Sequence, residues 1–302
     1  MQPDLELVAC GSSAVDMPTF GEWERVVLTE TYDQVDYVSI HRYYEEKDGD
    51  LASFLGSVVD MDRFIDSVVA TADHVKAVLK SDKQIDLSFD EWNVWYQSRA
   101  ESVLPSGDQW PVGPVLLEDH YTAADAVVVG NMLISLLRHT DRVAAASQAQ
   151  LVNVIAPIMT EPGGRAWRQT TFHPFAQAAA LARGQVLRVE PVSPTFATAQ
   201  HGDVASIDAV ATWDAGSGDL AVFLVNRNPI EPVTVEIDLA GFPGIHLVRA
   251  TTLAGEDPYE RNTADEPDRV RPRERDDLEL TGGRLSVTCP AVSWSTVQLS
   301  VG

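Results

Sequence analysis

The chain has 302 residues, with 22 Lys and Arg against 45 Asp and Glu, for a formal net charge of −23. So acidic a chain offers phosphate backbones and anionic lipid few clustered cations to displace counterions, so no nucleic-acid and no membrane partner is expected. Hydrophobic residues make up 45% and aromatics run along the whole length, which excludes wholesale disorder and collagen-like repeats.

Residues 5–11 read as a short buried strand ended by Gly11. Residues 22–31 follow with helical spacing, apolar at Trp23, Val26 and Val27. The alternation then repeats: a strand over 35–43, a helix over 61–79, a strand over 85–89, a helix over 119–138, a strand over 151–158 and a helix over 172–182. Four strand–helix alternations imply parallel sheet with crossover helices. After Arg183-Gly184 the texture changes to short alternating runs at 185–191, 206–214, 219–226, 234–239, 246–252, 278–281, 284–288 and 293–301. Runs of that length separated by Gly, Pro and Asp predict an antiparallel β-sandwich, so the expected domains are 1–183 and 184–302. Residues 255–277, rich in Asp, Glu, Arg and Pro, read as a solvated loop. Four parallel strands are few for a sheet that needs both faces covered: either the first domain is small and doubly wound, or it is part of a larger barrel.

The first residues, Met1-Gln2-Pro3-Asp4-Leu5-Glu6, carry neither a basic nor an apolar export region, and Cys10 and Cys289 lie too far apart in sequence to suggest a disulfide framework. The cytoplasm is the simplest compartment.

The strongest chemical signal is Phe89-Asp90-Glu91-Trp92-Asn93-Val94-Trp95-Tyr96, two adjacent carboxylates at the carboxyl end of a strand with aromatics close behind. In parallel α/β folds that end carries ligands and catalysis. Aromatic rings beside a carboxylate suit sugars, whose C–H faces stack on rings while an acid or nucleophile works on the anomeric carbon. The plainer alternative is a packing cluster in which Asp90 caps the next element. A second signal is Tyr37-Val38-Ser39-Ile40-His41-Arg42-Tyr43-Tyr44, where period two puts Tyr37, Ser39, His41 and Tyr43 on one face and Val38 and Ile40 on the other. Such a polar stripe fits a barrel interior opening into a site, although His41 could equally be a structural histidine. In the third strand, alternation puts Asp90 with Asp86 and Ser88 and Glu91 with Leu87 and Phe89, favouring Asp90 as the inward carboxylate. A bulge at the strand end would reverse that. No phosphate loop, His-Glu-x-x-His motif, metal-spaced Cys pair or Gly-x-Ser-x-Gly elbow occurs, so no cofactor and no metal is implied.

Taken together, Cys10-Gly11-Ser12-Ser13, Met17-Pro18-Thr19-Phe20-Gly21-Glu22-Trp23-Glu24, Ser39-Ile40-His41-Arg42-Tyr43-Tyr44, the Phe89–Tyr96 block and Gln150-Leu151-Val152-Asn153-Val154-Ile155-Ala156-Pro157 resemble an α-L-arabinofuranosidase of glycoside hydrolase family 51, in order and in rough spacing. The resemblance extends to Asn262–Pro272 in the tail. It implies an α/β plus all-β fold, a (β/α)₈ TIM barrel followed by a jelly-roll β-sandwich, and retaining hydrolysis that releases terminal L-arabinofuranose from arabinan or arabinoxylan oligosaccharides. Two carboxyl groups roughly 5 Å apart share such work, one as nucleophile and one as acid/base. By resemblance Glu91 matches the nucleophile, Tyr43 a tyrosine that hydrogen-bonds the nucleophile region and sugar, Gln150 a glutamine contacting sugar, His41 a neighbouring polar residue and Trp95 the aglycone side.

The family's acid/base glutamate lies in an Asn-Glu pair upstream of the Cys-Gly-Ser-Ser block, and no Asn-Glu pair occurs in these 302 residues. The resemblance therefore covers barrel strands five to eight and the sandwich, and implies an incomplete barrel whose isolated activity is impaired. Family members are commonly hexamers, which suggests a homo-oligomer. Two other readings stand beside this one: a non-catalytic carbohydrate-binding or assembly module, and a different retaining barrel glycosidase such as an endoglucanase or xylanase.

Overall fold

A computed structural model describes residues 5–96 and 106–302, so the first four residues, read above for an export signal, lie outside it. Its first part runs β1 (Val8–Cys10), α1 (Glu22–Thr31), β2 (Tyr37–Tyr44), α2 (Leu51–Leu55), α3 (Val58–Leu79), β3 (Asp86–Val94), α4 (Ala123–Arg138) and β4 (Val143–Gln148). The four strands form one parallel sheet in chain order. A short hairpin, β5 (Ile158–Thr160) with β6 (Ala166–Arg168), and α5 (Phe172–Leu181) complete this part.

The helices cover one face of the sheet. Helix α3 buries Met61, Phe64, Ile65, Val68, Ala72 and Val75 at helical spacing, and Phe64 meets Phe89 of β3 edge to face at 6.4 Å. Helix α1 is held by Glu24, whose buried carboxylate accepts from the Gly21 and Ser12 amides at 2.8 and 2.7 Å, tying the helix start to the loop after β1. Helix α4 begins at Ala123 because Thr122 and Asp125 cap each other, Asp125 Oδ2 accepting from the Thr122 amide at 2.7 Å. It is apolar around nearly its whole circumference, and it is buried on every side, between the parallel sheet and the strands that follow.

Those strands are β7 (Gln185–Leu187), β8 (Thr195–Thr198), β9 (Gly202–Ala205), β10 (Ile207–Asp214), β11 (Asp219–Asn226), β12 (Val233–Asp238), β13 (Ile245–Leu253), β14 (Arg273–Glu274), β15 (Leu280–Thr281), β16 (Arg284–Cys289) and β17 (Ser293–Val301). A six-stranded antiparallel sheet ordered β14-β13-β17-β11-β10-β7 faces a three-stranded sheet ordered β12-β16-β15, which makes a sandwich. One face of the larger sheet packs on the smaller through Val222, Leu224, Val287 and Leu299. Its other face joins the core of the parallel part through Val210, Phe223, Val225 and Trp294.

Three expectations are corrected, and one element is new. The fourth parallel strand is not 151–158 but Val143–Gln148. Its Ala-Ala-Ala run carries a weak strand propensity, whereas the apolar run after it is a rim loop in which Leu151 is 66% exposed and Asn153 and Ile155 adopt positive φ. The Asn93 amide holds that loop, donating to the carbonyl oxygens of Ala149 and of Ile155, the latter at 2.8 Å. The third strand does not stop at residue 89 but runs on to Val94, through both carboxylates. The 255–277 segment is not simply solvated: Val270 is fully buried, Asn262 accepts from its amide at 2.8 Å, and the carbonyls of Pro258 and Glu260 receive the Ala124 and Ala123 amides at 2.9 and 2.8 Å. The segment thus satisfies two backbone donors that the start of α4 would leave unpaired. Finally, an additional hairpin, β8–β9, emerges from the sandwich and lies on α2.

Candidate active site

Alternation along β3 is broken where it matters. Ser39 pairs with Ser88, yet His41 pairs with Glu91, so two steps on β2 face three on β3; on the other side Phe89 pairs with Ala146 and Trp92 with Gln148. The extra residue is a β-bulge. Before it Phe89, and after it Trp92, point to the helices and are fully buried, Trp92 stacking on Phe175 of α5 at 6.2 Å. Asp90 and Glu91 both fall on the opposite face. Asp90 accepts from the Ser88 hydroxyl below, while Glu91, with half of its side chain exposed, enters an open cleft.

Tyr43 donates its hydroxyl to Glu91 Oε2 at 2.9 Å, and His41 Nδ1 lies 3.7 Å from the same oxygen. Burial pushes the Tyr43 phenol well above its ordinary range, and the adjacent Glu91 carboxylate adds to the shift. It is therefore a neutral O–H donor at every physiological pH. The Tyr43 ring meets Trp95 edge on, at 5.3 Å and 67°, and the buried Trp95 indole N–H has no hydrogen-bond partner among the described residues. On the other face of β2, Arg42 and Tyr44 both donate to Asp60 Oδ2, at 2.8 and 3.0 Å.

The cleft, of about 680 Å³, runs from Glu91 and Trp95 across the carboxyl end of β2 to Gln200 and His201 on the β8–β9 hairpin. It brings together four of the residues singled out from sequence: Glu91, Tyr43, His41 and Trp95. Gln150 is not among its lining residues; it is exposed on the loop after β4, its amide donating to Ile155 O at 3.1 Å. The cleft also contains Asp60, Ser53, Gln200 and His201, which no local motif marks; the last two return to this place from more than a hundred residues beyond Glu91. Among the described residues no cluster of His, Cys, Asp or Glu is arranged to hold a metal ion, and no helix is long and apolar enough to cross a membrane.

A carboxylate lifted by a bulge at the carboxyl edge of a parallel sheet, hydrogen-bonded by a tyrosine and flanked by tryptophan, is the setting of sugar-cleaving enzymes. The chain belongs to the family described as the α-L-arabinofuranosidase C-terminal domain, whose sequence profile matches residues 90–293, and so to the α-L-arabinofuranosidases of glycoside hydrolase family 51. It is 53% identical over 298 residues to an intracellular exo-α-(1→5)-L-arabinofuranosidase of Streptomyces lividans, covering 99% of this chain and 45% of that protein. It is 48% identical over 308 residues to an exo-α-(1→6)-L-arabinofuranosidase of Bifidobacterium longum, covering 99% and 59%. Among solved structures, a family 51 α-L-arabinofuranosidase from Bifidobacterium longum superposes with a TM-score of 0.91 at 48% identity, over 97% of this chain and 58% of that one. The chain thus spans about half the length of the relatives it matches.

Proposed function

We propose that this chain carries the nucleophile half of a retaining exo-α-L-arabinofuranosidase, with Glu91 as nucleophile. The observation that carries the reading is the Glu91 carboxylate, raised into the cleft by the β3 bulge and bonded by Tyr43 at 2.9 Å. In this reading residues 1–183 are strands five to eight of a (β/α)₈ barrel and residues 184–302 its jelly-roll sandwich. The open polar face of the parallel sheet, lined by His41, Tyr43 and Glu91, supports the first assignment.

The chemistry follows from the geometry. A Glu91 oxygen attacks the anomeric carbon of a terminal L-arabinofuranosyl unit, the bond to the leaving oxygen breaks, and an acid supplies the proton that oxygen takes. Water then cleaves the glycosyl ester and regenerates the carboxylate. Tyr43 holds the attacking carboxylate by its unused oxygen and by its neutral O–H, and the Trp95 ring gives an apolar wall for a sugar face. Gln150, exposed on the rim loop after β4 and outside the cleft lining, is assigned a sugar contact by the family resemblance alone. No Asn-Glu pair in this sequence supplies the acid, and general-acid help is worth roughly 10²–10⁴-fold. Aryl arabinofuranosides with good leaving groups should therefore react with this chain far better than natural oligosaccharides. The relatives include both (1→5)- and (1→6)-acting enzymes at similar identity, so the substrate class is terminal L-arabinofuranose rather than one linkage. Names of relatives as intracellular enzymes support a cytoplasmic location, and a homo-oligomer is the assembly this reading expects.

The test is intact-protein mass spectrometry after incubation with a 2-fluoro-arabinofuranosyl fluoride. One sugar adduct mapped to Glu91 and absent from Glu91→Gln is the expected result. An adduct on another carboxylate, or none on the folded chain, would overturn the assignment.

A further inference from the structure

The cleft is longer than the reaction at Glu91 requires, and its far end is built by the other half of the chain. A volume of about 680 Å³ falls in the range, roughly 300–1,000 Å³, that encloses ligands of several hundred daltons; one pentose fills only a part of it. From Glu91 the floor passes the β2–α2 loop to the α2–α3 junction, where the hairpin β8–β9 closes the far end with Gln200 and His201.

The hairpin is fixed there. The Ser53 hydroxyl of α2 accepts from the Ala199 and Gln200 amides at 3.1 and 3.2 Å, and the Thr198 hydroxyl accepts from the His201 amide at 2.9 Å. Beneath it the chain approaches so closely at Gly56 that a Cβ would sit 3.2 Å from Val204 Cγ2 and 3.3 Å from Thr198 Cγ2. Asp50, which caps α2 by accepting from the Ser53 amide at 3.0 Å, fixes Ser53 in turn. Backbone and packing thus anchor the turn while its two functional side chains stay free: neither the Gln200 carboxamide nor the His201 imidazole makes a hydrogen bond among the described residues. Burial lowers the His201 pKa, so the ring is a neutral donor and acceptor at neutral pH. A carboxamide and a neutral imidazole, with Arg63 and Lys47 alongside, suit the hydroxyl groups of an uncharged sugar.

We propose that the β8–β9 hairpin of the sandwich forms a distal sugar subsite, in which Gln200 and His201 bind a further unit of the oligosaccharide whose terminal arabinofuranose lies at Glu91. The inference rests on the glycosidase reading and adds to it that substrate length is read by the second domain. Each hydrogen bond lost to an uncharged sugar weakens binding by roughly fivefold.

The experiment is calorimetric titration of the 302-residue chain with L-arabinose, α-(1→5)-arabinobiose and α-(1→5)-arabinotriose, with the His201 ring protons followed by NMR. The triose should bind at least tenfold more tightly than the monosaccharide and shift the His201 resonances. In a Gln200→Ala/His201→Ala variant the triose should weaken roughly 25-fold, fivefold for each residue's hydrogen bond, so that the dependence on length collapses; Ser53→Ala, which only loosens the hairpin, should give a smaller loss. Affinity independent of chain length, unmoved His201 resonances, or an equal loss for the monosaccharide would overturn the subsite. Adduct formation at Glu91 of the unaltered chain is scored separately: an adduct without length dependence removes the subsite alone, and absence of both adduct and sugar binding removes the glycosidase reading as well.

Discussion

Gly130, in the middle of α4, gives the sharpest test of how the two halves are joined. Replacing glycine by alanine inside a helix ordinarily stabilises it by about 0.5–1 kcal/mol. Here the new Cβ would lie 2.4 Å from Trp294 Cε3 and 3.0 Å from its Cδ2. Trp294 of β17 cannot retreat: it is fully buried, it stacks on Phe223 at 5.7 Å, and its indole N–H donates to Gln177 Oε1 of α5 at 2.9 Å. Overpacking of such a site costs about 1–3 kcal/mol. Set against the helix gain, Gly130→Ala should destabilise the chain by about 1–2 kcal/mol, read as a lower midpoint in urea unfolding followed by far-UV circular dichroism. Trp294→Phe, which removes the crowded ring edge, should recover part of the loss in the double variant, giving a favourable coupling between the two sites. A Gly130→Ala chain as stable as the parent, or more so, would refute the reasoning, because helix propensity would then outweigh the packing of α4 against the sandwich.

Two further outcomes follow from the site and its surroundings. Tyr43→Phe removes one hydrogen bond to a carboxylate that is half exposed; at about 1.5 kcal/mol, the low end for a charged acceptor, labelling of Glu91 by the fluorosugar should slow roughly tenfold, and an unchanged rate would show that Tyr43 does not position the nucleophile. His173 at the start of α5 is held down to about 4 from an ordinary 6.5, first by burial and then by Arg168. Because the folded state binds its proton less readily, His173 lowers stability as pH falls from about 6.5 towards 4 and has no such effect above 6.5. His173→Phe should flatten that limb of the stability profile, and identical slopes in the two proteins would show that His173 does not titrate with unfolding.

Much of the architecture is legible from the chain itself. The helical stripe of Met61, Phe64, Ile65, Val68, Ala72 and Val75, and the alternating runs of β12 and β16, identify their elements because each buries one face against a single neighbour, and period alone then reports it. The block from Phe89 to Tyr96 likewise stands out as a candidate sugar site through residue types. Three features depend on the tertiary structure. The Ala144-Ala145-Ala146 strand is set by its pairing with β3 and has no propensity of its own to reveal it. That Glu91 faces the cleft together with Asp90 turns on a bulge, and a bulge arises from how three strands share hydrogen bonds, so period two along β3 alone places only Asp90 there. His201 reaches the cleft only because the sandwich folds back over α2, bringing it to Ser53 across nearly 150 residues of chain; no local pattern encodes such a meeting, since it is paid for by burial elsewhere, along α4 and Trp294, where the two halves share one core.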